Sequence, residues 1–299
     1  MKTIVIGLGG NALLSPSGRQ DVGSEMRNAA KVAAQIARVA ATGRYRIIIT
    51  HGNGPQIGDE LSRNMHAGKD VPALPFYIMS SETEAQIGTV LELALRNELA
   101  KLGKNIEVAA VLTHVLVDPD DKAFRNPSKP IGPFMRKKSG NGVYRKFQNG
   151  YRLVVPSPIP KQILETASIR DLSDKGIVIA CGGGGVPVIR KGKRYVGVAG
   201  VIDKDRATQL LASAMGADMM LLLTDVDYVY TDYGRKTGMI MEAKSSILKK
   251  NLRMFEEGTI RPKVEACIEF VESGKGTAYI GSLEKLELVL EGKSGTRIS

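Results

Sequence analysis

Cysteine, histidine and aromatic residues are all scarce in this sequence, and each shortage excludes a class of site. The two cysteines, Cys181 and Cys267, form no C-x-x-C pair, and each lies in an apolar run, where a reduced thiol behaves as a small hydrophobic side chain. The three histidines are scattered along the chain, whereas a zinc site needs clustered ligands. We therefore expect neither disulfide bonds nor a metal-binding residue.

Long apolar runs are also missing. No run reaches the length of roughly 18 residues that a membrane-spanning helix needs. The first residues, Met1 to Ile6, lead directly into a strand pattern, and we expect no cleavable leader. We expect a cytoplasmic protein without a membrane partner.

Positive charge exceeds negative charge, with 42 Lys and Arg against 31 Asp and Glu and a net charge of +11. Such an excess suits either a nucleic acid or an anionic small substrate. Aromatic residues make up only 5% of the chain, and the basic clusters at 136–138 and 190–194 lack interleaved aromatics, which a base-stacking surface would need. We expect no nucleic-acid partner, and a basic RNA-binding protein is the remote alternative.

Strand-like and helix-like segments alternate from one end of the chain to the other. This alternation predicts an α/β fold in which helices cover both faces of an open, mainly parallel sheet. The predicted strands span residues 3–7, 47–50, 108–112, 177–180, 219–223 and 277–280, and the predicted helices span 24–42, 84–102, 206–215 and 262–272. Ser24 is the expected N-cap of the first helix and Gly43 suits the position after its end. Pro262 suits the first position of the last helix and Gly274 the position beyond it.

Residues 118–160 interrupt this alternation. The segment is rich in Pro, Gly, Lys and Arg. A loop of that length inside a compact domain is usually functional. We expect a lid or a small protruding subdomain.

Glycine-rich turns follow three of the predicted strands, at 9–10, 52–54 and 182–185. Ligands of an open parallel sheet bind beyond the carboxyl ends of its strands, and turns without Cβ atoms can bring backbone N–H groups close to an anion. An anion site is therefore predicted there. Residues 7–12 also match the dinucleotide fingerprint G-x-G-x-x-A, but Pro16 and Gly18 stand where its helix should begin, which disfavours a nicotinamide site.

Three lysines have unusual neighbours. Lys129 is flanked by prolines, Lys204 lies between Asp203 and Asp205, and Lys263 follows a proline at a predicted helix start. Phosphoryl transfer needs mainly fixed positive charge and in-line alignment, which lysines and glycine turns can supply. A Walker A motif is absent from the sequence. The residues alone thus predict a phosphoryl-transfer enzyme of another type.

Seven motifs in chain order then resemble the carbamate kinases, a family of the amino-acid kinase superfamily. They are GGNAL at 9–13, HGNGPQ at 51–56, NPSKPIGPF at 126–134, YRLVVPSP at 151–158, GGGGVP at 182–187, VIDKD at 201–205 and LTDVD at 223–227. The resemblance extends from residue 1 to GKSGT at 292–296. A collinear match of this length is more specific than any one motif.

The resemblance implies a three-layer αβα sandwich, a homodimer, and the reaction ATP + carbamate ⇌ ADP + carbamoyl phosphate, with Mg²⁺ carried by the nucleotide phosphates. It implies one domain over 1–299, with a carbamate half over roughly 1–200 that includes the 118–160 subdomain, and a nucleotide half over 201–299. The expected direction is ATP synthesis during breakdown of arginine and carbamoyl phosphate.

The resemblance also implies roles for individual residues. The catalytic group consists of Lys129, Lys204, Lys263 and Asp205, with Asp205 orienting the lysines. The carbamate and transferring phosphoryl group are held by Gly9, Gly10, Asn11, Gly52 and Asn53. The nucleotide is lined by Thr224, Asp225, Val226 and Tyr230.

Two positions depart from the family pattern. Thr89 stands where the family usually has tyrosine, and Arg261 stands where a glycine is usual. Arg261 adjoins Lys263, so a change in nucleotide preference or rate is expected. The alternative is another kinase of the superfamily, acting on acetylglutamate or an isopentenyl phosphate.

Overall fold

The computed structural model describes residues 1–9, 21–67, 71–138, 142–147, 149–232, 237–256, 259–274 and 276–299. The strands are β1 Lys2–Leu8, β2 Tyr45–His51, β3 Glu107–Ala110, β4 His114–Val117, β5 Lys129–Met135, β6 Tyr144–Phe147, β7 Gly150–Val155, β8 Pro160–Ile163, β9 Gly176–Ile179, β10 Val186–Lys191, β11 Arg194–Gly197, β12 Met219–Thr224, β13 Val229–Asp232, β14 Thr237–Ile240, β15 Glu242–Ala243, β16 Thr277–Ser282 and β17 Thr296–Ile298. The helices are α1 Val22–Ala41, α2 Gly54–Ala67, α3 Phe76–Lys101, α4 Thr166–Ser173, α5 Lys204–Ala214, α6 Ser245–Lys250, α7 Arg261–Ser273 and α8 Leu286–Leu290.

The central sheet has eight strands in the order β15-β17-β16-β12-β1-β2-β9-β3. Its pairs are parallel except β16 with β17. The prediction of an open, mainly parallel α/β sheet is therefore confirmed. All six predicted strands belong to this sheet, each with a shift of a few residues at most at its ends.

Two hydrophobic cores lie on opposite faces of the sheet. Along β1, Val5 enters one core, whereas Ile4 and Ile6 enter the other, because successive side chains of a strand point to opposite faces. Helices α5 and α7 cover the first face, and α1 and α3 cover the second. A strand buried on both faces needs apolar residues at consecutive positions, which explains the uninterrupted IVI and IIIT runs.

The first helix differs from its prediction at the N-cap. Asp21, not Ser24, caps α1: Oδ1 of Asp21 accepts a hydrogen bond from the backbone N–H of Ser24 at 2.8 Å. Ser24 is buried in the first turn, where its hydroxyl donates to Asp21 Oδ2. At the other end, the N–H of Gly43 donates to the carbonyl of Ala40 at 3.0 Å, as the sequence predicted.

Three other helices begin at residues that differ from the predicted ones. Helix α3 begins at Phe76, eight residues before the predicted start at 84, and α5 begins at Lys204 instead of 206. Helix α7 begins at Arg261, so Pro262 occupies its second position, and Gly274 is its C-cap. Helix α2 and the four-stranded sheet β11-β10-β4-β8 were not predicted from the sequence.

Segment 118–160 contains a separate three-stranded sheet in the order β5-β7-β6. This sheet packs on α2 at a point where two glycines meet: a Cβ atom on Gly58 would lie 2.1 Å from Cα of Gly132. Only glycine permits so close an approach of two backbones. Ile57 on α2 and Ile131 on β5 share a small core beside this contact.

Among the described residues, no helix combines the length and apolarity that crossing a membrane requires.

Candidate active site

The glycine turns meet at one edge of the central sheet. Strands β1, β2 and β9 are consecutive and parallel, so their carboxyl ends lie side by side. Gly9 follows β1, Gly52 follows β2, and the turn 182–185 begins three residues after the end of β9. Gly9 is held in place by a hydrogen bond from its N–H to the carbonyl of Leu223 at 3.0 Å. Gly10 and Asn11, predicted to hold the phosphoryl group, lie outside the described residues.

The turn 182–185 lies between the β2 turn and the start of α5. Gly183 has a φ of +65°, and a Cβ atom there would lie 2.2 Å from the side-chain amide of Asn53. A Cβ atom on Gly184 would lie 2.3 Å from the carbonyl oxygen of Ile202, one residue before Asp203. The turn is therefore a backbone spacer of fixed thickness between Asn53 and the first residues of α5.

Three lysines from three elements converge on two aspartates at the start of α5. Nζ of Lys129, on β5, lies 2.5 Å from Asp203 Oδ2. Nζ of Lys204 lies 2.6 Å from Asp205 Oδ1, and Nζ of Lys263, on α7, lies 2.8 Å from Asp205 Oδ2. Thus the structure brings together the three lysines that the sequence singled out, although they are far apart along the chain.

Asp203 has two functions in this cluster. Besides pairing with Lys129, it caps α5, because its Oδ1 accepts the N–H of Asp205 at 2.9 Å. This cap fixes the first turn of the helix, where Lys204 and Asp205 lie. No role was predicted for Asp203, although an aspartate directly before a helical pattern is a signal that indicates a cap.

Electrostatics in the cluster favour an incoming anion. Burial alone would raise the pKa of Asp205, but the ammonium groups of Lys204 and Lys263 hold this pKa well below its usual range. Burial lowers the pKa of Lys204 despite its pairing with Asp205. For Lys263, burial acts in the same direction but the Asp205 carboxylate outweighs it, and the pKa rises. With three cations against two carboxylates, one positive charge in the cluster is uncompensated.

The buried position of the Lys204 ammonium also favours binding of an anion. Its ammonium is buried and forms an ion pair with Asp205, yet no acceptor among the described residues gives it a hydrogen bond of good angular geometry. Buried donors are normally satisfied. An anion that reached Nζ would therefore gain both a charge and a donor.

Asn53 lies buried at the end of β2, with its Nδ2 donating to Thr83 Oγ1 on α3 at 3.0 Å. His51, the last residue of β2, is fully buried, and burial lowers the pKa of its imidazole to about 4. His51 is therefore a neutral packed side chain. Within the described ranges, no three His, Cys, Asp or Glu side chains are grouped closely enough to bind a metal ion.

Glu84 on α3 was missed by the sequence analysis. It is 4% exposed. Its Oε1 accepts the N–H of Gly182 at 2.9 Å and its Oε2 accepts the N–H of Thr113 at 3.4 Å. Burial raises the pKa of this carboxyl to about 8 against the lowering effect of the two backbone donors. A glutamate within a helical pattern carries no sequence signal that separates it from a surface residue.

Three of the predicted nucleotide residues follow one another at the carboxyl end of β12, and the fourth, Tyr230, lies on β13. Thr224 ends β12, which pairs with β1, and its hydroxyl donates to Asp225 Oδ1 at 2.9 Å. Asp225 is exposed, whereas Val226 and Tyr230 are half-buried. Thr224 lies next to Gly9, since a Cβ atom on Gly9 would be 3.8 Å from Cα of Thr224.

The two departures from the family pattern have different surroundings. The Thr89 hydroxyl donates to the Ala85 carbonyl of its own helix at 2.8 Å and the side chain faces outward. Nε of Arg261 lies 3.3 Å from Glu265 Oε1, one turn along α7. Oε2 of Glu265 also lies 3.6 Å from Nη2 of Arg206, so one carboxylate is shared by two guanidinium groups.

Comparison with known proteins shows which family and which relatives the chain resembles. The model of the "Amino acid kinase family" matches residues 2–282. A protein of Thermococcus kodakarensis named carbamate kinase is 42% identical over 313 residues, covering 100% of this chain and 99% of that protein. Carbamate kinase 2 of Staphylococcus aureus is 39% identical and covers 99% and 98%.

Solved structures agree with these relatives. Carbamate kinase from Giardia lamblia bound to citric acid has a TM-score of 0.94 at 34% identity, with 99% of this chain and 98% of that chain covered. The same enzyme bound to AMP-PNP has a TM-score of 0.91 at 34% identity and the same coverage. An isopentenyl phosphate kinase from T. acidophilum, at 14% identity and a TM-score of 0.53, shares the fold alone.

Proposed function

This chain belongs to the amino acid kinase family, and we propose that it is a carbamate kinase that catalyses ATP + carbamate ⇌ ADP + carbamoyl phosphate. The observation that carries the proposal is the lysine cluster: Lys129, Lys204 and Lys263 are fixed by two aspartates at the sheet edge where the glycine turns lie. Full-length relatives at 42% and 39% identity carry that name.

The reaction needs no covalent enzyme intermediate. In the direction of ATP synthesis, the bond from phosphorus to the carbamate oxygen breaks as the bond from phosphorus to the terminal oxygen of ADP forms. Negative charge spreads over the migrating group. Lys204 and Lys263, held together by Asp205, stabilise this charge from the nucleotide side, and Lys129 does so from the carbamate side.

The remaining predicted roles belong to the same proposal. Gly9, Gly10 and Asn11 hold the migrating group, Gly52 and Asn53 hold the carbamate end, and Thr224, Asp225, Val226 and Tyr230 line the nucleotide. The chain then divides functionally into a carbamate half over roughly 1–200, which includes the 118–160 subdomain, and a nucleotide half over 201–299. Support comes from Gly9, Gly52 and Thr224, which lie at the carboxyl ends of the parallel strands β1, β2 and β12 of one sheet.

Mg²⁺ enters as part of the nucleotide substrate, carried by its phosphates, and screens their charge. The donor set fits this role, because Asp203 and Asp205 are already paired with lysines. We place the enzyme in the cytoplasm as a homodimer working toward ATP. Leu93, Leu102 and Leu112, on or near α3 and edge strand β3, are 43–48% exposed, which suits a subunit interface.

One assay tests the proposal. Purified protein is mixed with MgADP and, in separate reactions, carbamoyl phosphate, acetylglutamyl phosphate or isopentenyl diphosphate, and ATP is measured with luciferase. We expect ATP from carbamoyl phosphate only. ATP from either of the other two donors, with none from carbamoyl phosphate, would assign the chain to a different substrate within the superfamily.

A further inference from the structure

Glu84 is buried beside the site and has no part in the reaction as proposed above. Its carboxyl joins three elements: α3, which carries it; the residue before β4, Thr113; and the first glycine of the turn 182–185. Thr113 completes the connection, since its hydroxyl accepts the N–H of Cys181 at 2.9 Å. Cys181 itself has a φ of +52°, which a non-glycine residue adopts only under firm constraint.

The turn that Glu84 holds has little freedom to move elsewhere. A Cβ atom on Gly182 would lie 2.4 Å from His51 Nε2 and 2.8 Å from Cγ of Glu84, so the glycine is enclosed by these two side chains. The next glycines contact Asn53 on one side and Ile202 on the other. A shift of Gly182 would therefore be transmitted to Asn53 and to the start of α5.

We propose that Glu84 is a positioning residue. Its carboxyl anchors Gly182 and thereby sets the distance between Asn53 and the lysines that pair with Asp203 and Asp205. The inference rests on the proposed function, because it takes Asn53 to hold the carbamate end. Glu84 does not touch substrate. It acts through the backbone of the turn.

The protonation state of Glu84 provides a readout that a purely structural role would not give. With a pKa of about 8, the carboxyl is uncharged at neutral pH. The titratable groups that face it are the neutral His51, the Cys181 thiol, whose pKa burial raises, and Glu165, which also raises the Glu84 pKa. Above pH 8 a buried negative charge therefore appears behind the turn and opposes binding of anionic carbamoyl phosphate.

The test compares Glu84→Ala and Glu84→Gln with wild type in the carbamoyl phosphate assay. Removing the carboxyl leaves two buried N–H groups without an acceptor, and we expect Glu84→Ala to raise the KM for carbamoyl phosphate about 10- to 100-fold, the equivalent of one lost hydrogen bond between Asn53 and the charged substrate. The KM for ADP rises less than the KM for carbamoyl phosphate, because the start of α5 is also fixed by its Asp203 cap and by the pairing of Asp205 with Lys263. Glu25→Ala is the matched control, since Glu25 is also a buried carboxylate, accepting from Gln56 and Gln86.

Glu84→Gln keeps an oxygen for Gly182 but cannot ionise. We expect its KM for carbamoyl phosphate to match wild type within a few-fold at pH 7, and the ratio of wild-type KM to variant KM to rise severalfold between pH 7 and pH 9.5. Taking the ratio of the two KM values cancels the pH dependence of groups that titrate in both proteins. If Glu84→Ala does not fold, the pH dependence of the KM ratio for Glu84→Gln tests the inference by itself.

Two results would overturn the inference. One is a KM ratio that stays flat with pH; the other is an equal rise of both KM values in Glu84→Ala, with loss of thermal stability like that of Glu25→Ala. Either would make Glu84 a packing residue only. A wild-type protein that makes no ATP from carbamoyl phosphate would instead refute the proposed function, so the two failures are distinguishable.

Discussion

Replacing Lys204 by methionine separates charge from packing at the centre of the site. Methionine keeps most of the apolar stem of a side chain that is 11% exposed and removes only the ammonium. Loss of one key donor to a transition state costs about 3–4 kcal/mol, which corresponds to a fall of about 10²–10³ in kcat. The KM values for ADP and carbamoyl phosphate should change much less.

The same substitution should leave the fold almost unaffected. Asp205 keeps its partner Lys263 at 2.8 Å, and burial already disfavours the Lys204 ammonium, as its lowered pKa shows. We expect the melting temperature to change by less than about 3 °C, because for a chain of this length about 1 kcal/mol corresponds to roughly 1.6 °C.

The assay is initial-rate ATP formation with saturating ADP and carbamoyl phosphate, alongside differential scanning calorimetry. Lys249→Met serves as the control, because Lys249 is 60% exposed and pairs with Glu272 on the surface. A kcat for Lys204→Met within tenfold of wild type would refute the reasoning and remove Lys204 from the transition state. A matching loss in Lys249→Met would point to a general effect of charge.

Three further changes probe the site and its support. Lys129→Ala should raise the KM for carbamoyl phosphate more than the KM for ADP in steady-state kinetics, and the reverse order would move Lys129 to the nucleotide side. Asp205→Asn leaves two buried ammonium groups facing each other, so its melting temperature should fall by about 5–8 °C, equivalent to about 3–5 kcal/mol; an unchanged melting curve contradicts the pairing. Gly58→Ala forces the three-stranded sheet away from α2 and should destabilise the protein by about 1–3 kcal/mol in urea unfolding, whereas Gly274→Ala, where a Cβ meets nothing within 4 Å, serves as its control.

The central sheet was predictable because its strands are buried on both faces and read as continuous apolar runs. Helix α2 was not, since Pro55 and Gly58 interrupt its pattern while packing against β5 stabilises it. Strands β8 and β11, with the sequences PKQI and RYVG, lack the continuous apolar run that identified the equally short β9.

The site residues that could be predicted are those with unusual neighbours in the sequence. Prolines beside Lys129 and aspartates beside Lys204 were visible in the sequence. The partner of Lys129 was not, because Asp203 is 74 residues away and the pairing exists only after β5 docks on α2. Glu84 was hidden for the same reason: its partner Gly182 is 98 residues away.

The glycine turns have a consequence for how such a site is mapped. An alanine scan reports on groups beyond Cβ, and Gly9, Gly52 and Gly182 have none to remove. Truncation mutagenesis of this protein would identify the lysines and Asn53 and would assign no energy to the main-chain amides between them. Backbone substitution, such as an amide-to-ester exchange introduced by semisynthesis, would measure the contribution of these main-chain amides to binding and catalysis.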